Sequence, residues 1–293
     1  MIKTNQQNIP TKPTKTKTQT SIQKCCDTKL PSATSGSLEI AIVPDLHCHG
    51  GSDKTIPELI ARWLDEYRPD VVVNLGDHWD LPSLAFQTKG QHSSAIGPTF
   101  QSDVAAGIQA NDVIWKTYQR AKDRWNCHRI ILEGNHENRM ARATEEPERW
   151  SLRGLLDYSI LQTDRYYDEV VRYKGSTPGL TSVGGVTFRH YAPNGMSRPL
   201  NSMHLGYQLT QKMLTSTVVG HTHRFSYFRT TASDARVVHG LVAGCCISED
   251  DFHEYAGTSQ TSWDRGVACL HGCENGNYSL EWVNLNRLQQ LYG

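Results

Sequence analysis

The chain has 293 residues, 38% of them hydrophobic and 20% charged, enough for one large domain or two small ones. Its 30 basic and 30 acidic residues cancel, which argues against coating nucleic acid by charge alone while leaving a local basic groove open. No apolar stretch reaches the length of a membrane span, and the first residues lack the apolar core of a secretory signal. A cytoplasmic protein with no membrane partner is therefore expected; oligomeric state is not legible.

Residues 1–36 are rich in Thr, Lys, Gln, Ser and Pro, nearly free of acidic residues, and contain no Arg. Such a segment buries too little surface to offset its ordering entropy, so it reads as a disordered polar tail before a domain over 37–293. The eight cysteines, at 25, 26, 48, 127, 245, 246, 269 and 273, include two adjacent pairs and no C-x-x-C. That is neither a disulfide framework nor a zinc ribbon, and reduced thiols are expected. Cys269-Leu270-His271-Gly272-Cys273 alternates like a strand ending in a turn, and is read so in preference to a metal clip.

The domain opens with an apolar run, Ile40 to Val43, that ends in Asp45-Leu46-His47. After a glycine turn a helix follows, with Thr55 and Glu58 as a capping box and Ile56, Leu59, Ile60, Trp63, Leu64 and Tyr67 on one face. Pro69 stops it, and a buried strand over Val71 to Leu75 ends in Gly76-Asp77-His78-Trp79-Asp80. This β-α-β order calls for a parallel pair with a right-handed crossover. Residues 81–100 read as a loop over the strand ends, and a helix is expected from about Val104 to Arg124. A strand from Arg129 to Leu132 then ends in Gly134-Asn135-His136-Glu137.

Residues 138–180 read as an insertion with helical pieces. Val186 to Phe188 leads to Arg189-His190, a helix over Ser202 to Leu214 carries Leu205, Leu209 and Met213, and Thr217 to Val219 leads to Gly220-His221-Thr222-His223. In the last third, Val237 to Cys246, Gly266 to Leu270 and Tyr278 to Leu285 alternate like antiparallel strands, with a hairpin turn at Glu274-Asn275-Gly276-Asn277. The expected fold is α/β, with two mostly mixed sheets packed as a sandwich and flanked by helices.

Five apolar runs thus end in residues suited to holding metal. Ligands gather outside the carboxyl ends of strands in open α/β sheets, so the five tips can converge. Carboxylates, a carboxamide and neutral imidazoles suit two divalent cations of the manganese, iron or zinc type, manganese first, better than one structural zinc. That chemistry points to a metallohydrolase.

The series D-x-H, G-D-x-x-D, G-N-H-E, a strand-end His and G-H-T-H resembles the calcineurin-like metallophosphoesterase superfamily, over essentially the whole folded part from Ile40 to about Leu285. The resemblance is greatest to single-domain bacterial and phage members, and it implies their four-layer sandwich and a phosphate-ester substrate. It also implies that Asp77 bridges two ions, that Asp45, His47 and His223 hold the first, and that Asn135, His190 and His221 hold the second. His204 competes with His190 for its role, but the strand-end position favours His190. His136 would assist the leaving group, with Asp80 orienting its imidazole. His78 either reaches substrate or packs; His49 and His92 receive no role.

The chain departs from the protein Ser/Thr phosphatase branch at three places: Pro44 replaces a Gly, Cys48 replaces another, and Leu81-Pro82 stand where Arg-Gly is expected. The phosphate-clamping Arg of that branch is missing. Arg139, Arg142 or Arg198 could supply its charge, the alternative being a solvated helix face balanced by Glu145, Glu146 and Glu148. The expected reaction is hydrolysis of a phosphate mono- or diester by a hydroxide held between the metals. Nucleotide or DNA phosphodiesters are one substrate class and phosphoprotein or small-metabolite monoesters the alternative, with a non-catalytic scaffold a distant third.

Overall fold

A computed structural model describes residues 37–85, 99–116, 118, 125–145, 147–251, 253 and 256–293, all within one compact unit, Ser35–Gly293. The tail, His92, Glu146, most of the 81–100 loop and the end of the expected helix near Arg124 lie outside these residues. The first sheet has the order β11-β10-β1-β2-β3-β4. Its strands are β1 (Leu38–Val43), β2 (Val71–Asn74), β3 (His128–Leu132), β4 (Glu169–Val171), β10 (Gly266–Glu274) and β11 (Asn277–Asn284). β1 to β4 run parallel, and β10 and β11 add an antiparallel hairpin to the β1 edge. The second sheet has the order β5-β6-β7-β9-β8, built from β5 (Thr181–Val183), β6 (Val186–Phe188), β7 (Thr217–Val219), β8 (Phe225–Thr231) and β9 (Val237–Ala243). Both sheets are mixed.

The alternation of side chains sets the layers. Ile40, Ile42, Val71, Val73, Ile130 and Leu132 point from the first sheet onto Val186, Phe188, Val218 and Leu241 of the second. Ala41, Val43, Val72 and Ile131 point the other way, onto helices α1 (Thr55–Tyr67) and α2 (Phe100–Ile114). On the far side, Val219 and Val242 meet Leu205 and Leu209 of α4 (Leu205–Met213). Two shorter α-helices are α3 (Arg139–Ala143) and the C-terminal α5 (Leu285–Tyr292). The result is the expected helix–sheet–sheet–helix sandwich.

The structure differs from the sequence reading in four places. Thr55 and Glu58 form no capping box; Asp53 Oδ1 instead accepts from Thr55 N and Thr55 Oγ1, both at 2.8 Å. The insertion contributes β4 and β5 follows it, strands of three residues each that are too short to show a period. β8 was not expected, and its burial is weak, since it is the edge strand beside β9. The C-terminal strands divide between the sheets, β9 in the second and β10 and β11 in the first.

Candidate metal centre

The carboxyl ends of β1, β2, β3, β6 and β7 meet at one place, and each tip is locked by backbone contacts to its neighbours. Leu46 N and His47 N both donate to Asp77 O, at 3.1 and 2.9 Å, joining the first two tips. His136 N donates to Asp77 Oδ1 at 2.8 Å, and His221 N to Asp45 Oδ2 at 2.9 Å. The glycine before Asp77 is required: Gly76 has φ of 92°, and a Cβ there would lie 2.7 Å from Gly134 N. Gly134 is required by space, since its Cβ would fall 2.1 Å from Asp77 Oδ1.

Asp77 stands at the centre. Its Oδ2 is 3.1 Å from His190 Nε2, 3.6 Å from His47 Nε2 and 3.8 Å from His136 Nε2. On one side Asp45, His47 and His223 bring their donor atoms together, with His223 Nε2 3.2 Å from Asp45 Oδ2. On the other side Asp77, His190 and His221 do the same, and Asn135 Oδ1 reaches His190 Nε2 at 2.9 Å. His190 Nδ1 donates to Leu75 O at 2.9 Å, which presents Nε2 to the cluster. His204, by contrast, is an exposed residue at the start of α4.

Beside the cluster lies the pair expected for proton transfer. His136 Nδ1 and Asp80 Oδ1 are 2.7 Å apart, which leaves Nε2 facing the cluster. Arg139 crosses this pair: Nη1 donates to Asp80 O at 2.6 Å, and Nη2 lies 3.2 Å from His136 Nε2. Arg142 is exposed near the end of α3, and Arg198 is exposed on the loop after the strand-end His. None of the described contacts joins the Arg198 guanidinium to the cluster. His78 is fully buried, with Nε2 donating to Gly107 O at 3.0 Å and Nδ1 3.2 Å from Asn74 Nδ2, so it packs away from the cluster. His49 is half-buried and accepts from Gly51 N.

Electrostatics divide the histidines. Burial alone would lower the His47 pKa, but hydrogen bonds to Asp77 and Asp80 outweigh it and push it up to about 10. His190 behaves alike, rising to about 9 against burial because of Asp77. Burial holds His136 down at about 4 and, with the neighbouring His190, His221 at about 3. The two imidazoles that the carboxylates draw toward positive charge thus belong one to each donor group. The Asp and His donors of these groups are able to hold divalent metal.

Four contributors to the site were not assigned from the sequence. Glu137, the last residue of G-N-H-E, is buried and accepts from Asp77 N (3.1 Å), Gly134 N (2.9 Å) and Trp79 N (2.9 Å), tying two tips together. Burial and the Asp77 charge raise its pKa to about 7. His253 is buried with Nδ1 3.7 Å from Asp80 Oδ2, and Trp263 packs edge-on against His223 at 4.3 Å. Both come from the segment after β9, which has no strand-tip pattern to signal them. Arg224, next to G-H-T-H, lines a cavity of about 410 Å³ together with Trp263, His221 and Asn201.

A two-sheet α/β sandwich with an Asp- and His-rich donor cluster at its strand tips is the architecture of a metal-dependent hydrolase. The family profile of calcineurin-like phosphoesterases matches residues 38–241. The chain belongs to that family and is a hydrolase acting on phosphate esters. No curated protein sequence matches the chain. Among solved structures it is similar to a single mutant of Vps29 from Entamoeba histolytica, at 12% identity and a TM-score of 0.34, covering 85% of this chain and 99% of that one. It is also similar to YfcE, a phosphoesterase from E. coli, at 11% identity and a TM-score of 0.35, covering 85% and 100%. No helix among the described residues is long and apolar enough to cross a membrane.

Proposed function

We propose that the chain is a two-metal phosphoesterase in which Asp45, His47 and His223 hold one divalent ion, Asn135, His190 and His221 hold the other, and Asp77 bridges them. The observation that carries this reading is the central position of Asp77 Oδ2 between a donor group containing His47 and one containing His190. The pair of ions, when bound, supplies neutralising charge to the phosphoryl oxygens and lowers the pKa of water. Asp80 fixes the His136 ring by holding Nδ1–H, so that Nε2, once it takes up a proton from water in the site, passes it to the departing ester oxygen. Arg139, with Nη2 beside His136 Nε2, is placed to bind a phosphoryl oxygen at the same point. Arg198 has no such support, and Arg224 is the better-placed second cation.

The cavity beside His221, with its Trp263 wall and the Arg224 cation, supports substrates that extend beyond the phosphate, such as nucleotide phosphodiesters. Phosphomonoesters are the alternative, and the sequence's zero net charge gives no support for non-specific nucleic-acid binding. The test is metal analysis together with turnover. Manganese-reconstituted protein should hold two ions per chain and lose turnover in chelator, and Asp77→Asn should lower turnover by several orders of magnitude. A chain that holds one weak ion, or an Asp77→Asn protein with near-normal turnover, would refute the dinuclear reading. A panel of nitrophenyl mono- and diesters, nucleotides and single- and double-stranded DNA then separates the substrate classes.

A further inference from the structure

A second group of donors lies on the helix-facing side of the first sheet. Cys269 on β10 sits directly across from Glu281 on β11, and His271, two residues along β10, projects from the same face. The His271 ring lies between two carboxylates, with Nδ1 2.8 Å from Glu39 Oε2 and Nε2 3.1 Å from Glu281 Oε2. Glu39 is itself fixed, accepting from Tyr67 OH at 2.8 Å and from Gly272 N at 2.9 Å. Cys273 does not take part; it packs between the two sheets, so the two cysteines of this stretch form no clip. Cys269, His271 and Glu281 lie beyond the 38–241 segment matched by the family.

We propose that Cys269 Sγ, His271 Nε2 and a Glu281 carboxylate oxygen form a binding site for a zinc-type divalent cation, with Glu39 orienting the imidazole. One donor atom from each of the three residues, a ring nitrogen in the case of His271, lies within 4.8 Å of the other two, so small side-chain rotations bring them onto one ion. Thiolate, imidazole and carboxylate together make a zinc donor set, and three protein ligands leave a fourth position for water. Glu39 takes the Nδ1–H and so leaves Nε2 for the metal, the arrangement by which a carboxylate commonly fixes a metal-bound histidine. Cys269 is 1% exposed and closes the inner end, while the half-exposed His271 and exposed Glu281 leave the outer end open to an entering ion. On binding, the Cys269 thiol and the His271 Nε2–H each give up a proton to solvent, and the sulfur and the nitrogen bond the cation.

This site is independent of the phosphoesterase centre, whose proposed donors are all nitrogen and oxygen, and the test uses sulfur as the label. The full-length chain, stripped of metal and titrated with cobalt(II), should develop a near-ultraviolet sulfur-to-cobalt charge-transfer band that zinc(II) abolishes by displacement. The band should persist in His223→Ala, in Cys48→Ser and in the double variant Cys25→Ser with Cys26→Ser, and vanish in Cys269→Ser. Glu281→Gln changes an exposed position and so keeps the fold; together with Glu39→Gln it guards against a misfolded Cys269 variant. Glu39→Gln should weaken cobalt binding at this site by about ten- to a hundredfold, the scale for losing a carboxylate that orients a ligating histidine, and Glu281→Gln should weaken it at least as much. Absence of the band at cobalt saturation, or its survival in Cys269→Ser, would overturn the site and leave an ion-pair cluster.

Discussion

Glu137 offers a direct way to ask what holds the strand tips together. Its two oxygens accept three buried backbone N–H groups, two on Oε2 and one on Oε1, from Asp77, Gly134 and Trp79. Glu137→Leu keeps the approximate volume and removes every acceptor. Leaving a buried donor unpaired costs about 1–3 kcal/mol, so three of them put the loss on the order of 3–9 kcal/mol, against a typical total stability of about 5–15 kcal/mol. Glu137→Gln retains one carbonyl oxygen, which can keep the Asp77 and Gly134 donors, so it should lose about 1–3 kcal/mol, for the Trp79 donor alone. Urea unfolding in excess chelator, which removes the contribution of bound metal, measures both. The expected order is wild type, then Gln, then Leu. A Leu variant within about 0.5 kcal/mol of wild type would refute the clamp, since that is the range of an ordinary surface substitution.

Replacing His136 by Asn should keep both metals and lower turnover by about a hundred- to ten-thousandfold, with a smaller loss on nitrophenyl esters, whose leaving groups need little proton donation; equal losses on good and poor leaving groups would remove the acid role. Asp80→Asn should give a milder version of the same leaving-group pattern in the same assay, because Asp80 only holds the ring. Arg224→Ala should raise KM for extended diesters more than for small monoesters, as steady-state kinetics on the substrate panel would record. Asp168, whose carboxylate takes Arg129 Nη2 at 2.8 Å and Nε at 3.0 Å, has its pKa lowered: desolvation opposes the shift, and the Arg129 hydrogen bonds outweigh it. Its contribution is therefore present above its unfolded value and lost as pH falls through the folded one. Asp168→Asn should cost about 1 kcal/mol at pH 7, discounted for the side chain's partial exposure, and the gap to wild type in denaturant melts should close below about pH 3.8.

The strand tips were legible because each joins two signals, a short β-branched run and a polar ending that a buried strand does not otherwise carry. Val71 to Leu75 before Asp77 is the clearest case, and β2 occupies that stretch. A strand-end position likewise marks His190 and not His204, and His190 lies against Asp77 while His204 is exposed. What stayed hidden depends on contacts distant in sequence. His253 approaches Asp80 from 173 residues away, and no local pattern marks it. β4 and β5, three residues each, gain their pairing from neighbours and not from their own propensity. No capping box forms because Asp53, two residues upstream, offers Thr55 a carboxylate that competes with Glu58.

His47, Asp77, His221 and His223 all hold φ between 49° and 68°, where side chains other than glycine are strained. Each such residue costs on the order of 1–3 kcal/mol, and Asn or Gly would sit there more comfortably. Selection for thermal tolerance alone would therefore favour replacements at these four positions, and each replacement would remove a side chain of the donor cluster. Durability and turnover pull this chain in opposite directions at the same four residues. A library screened only for survival on heating would fill with well-folded proteins that no longer cleave their ester.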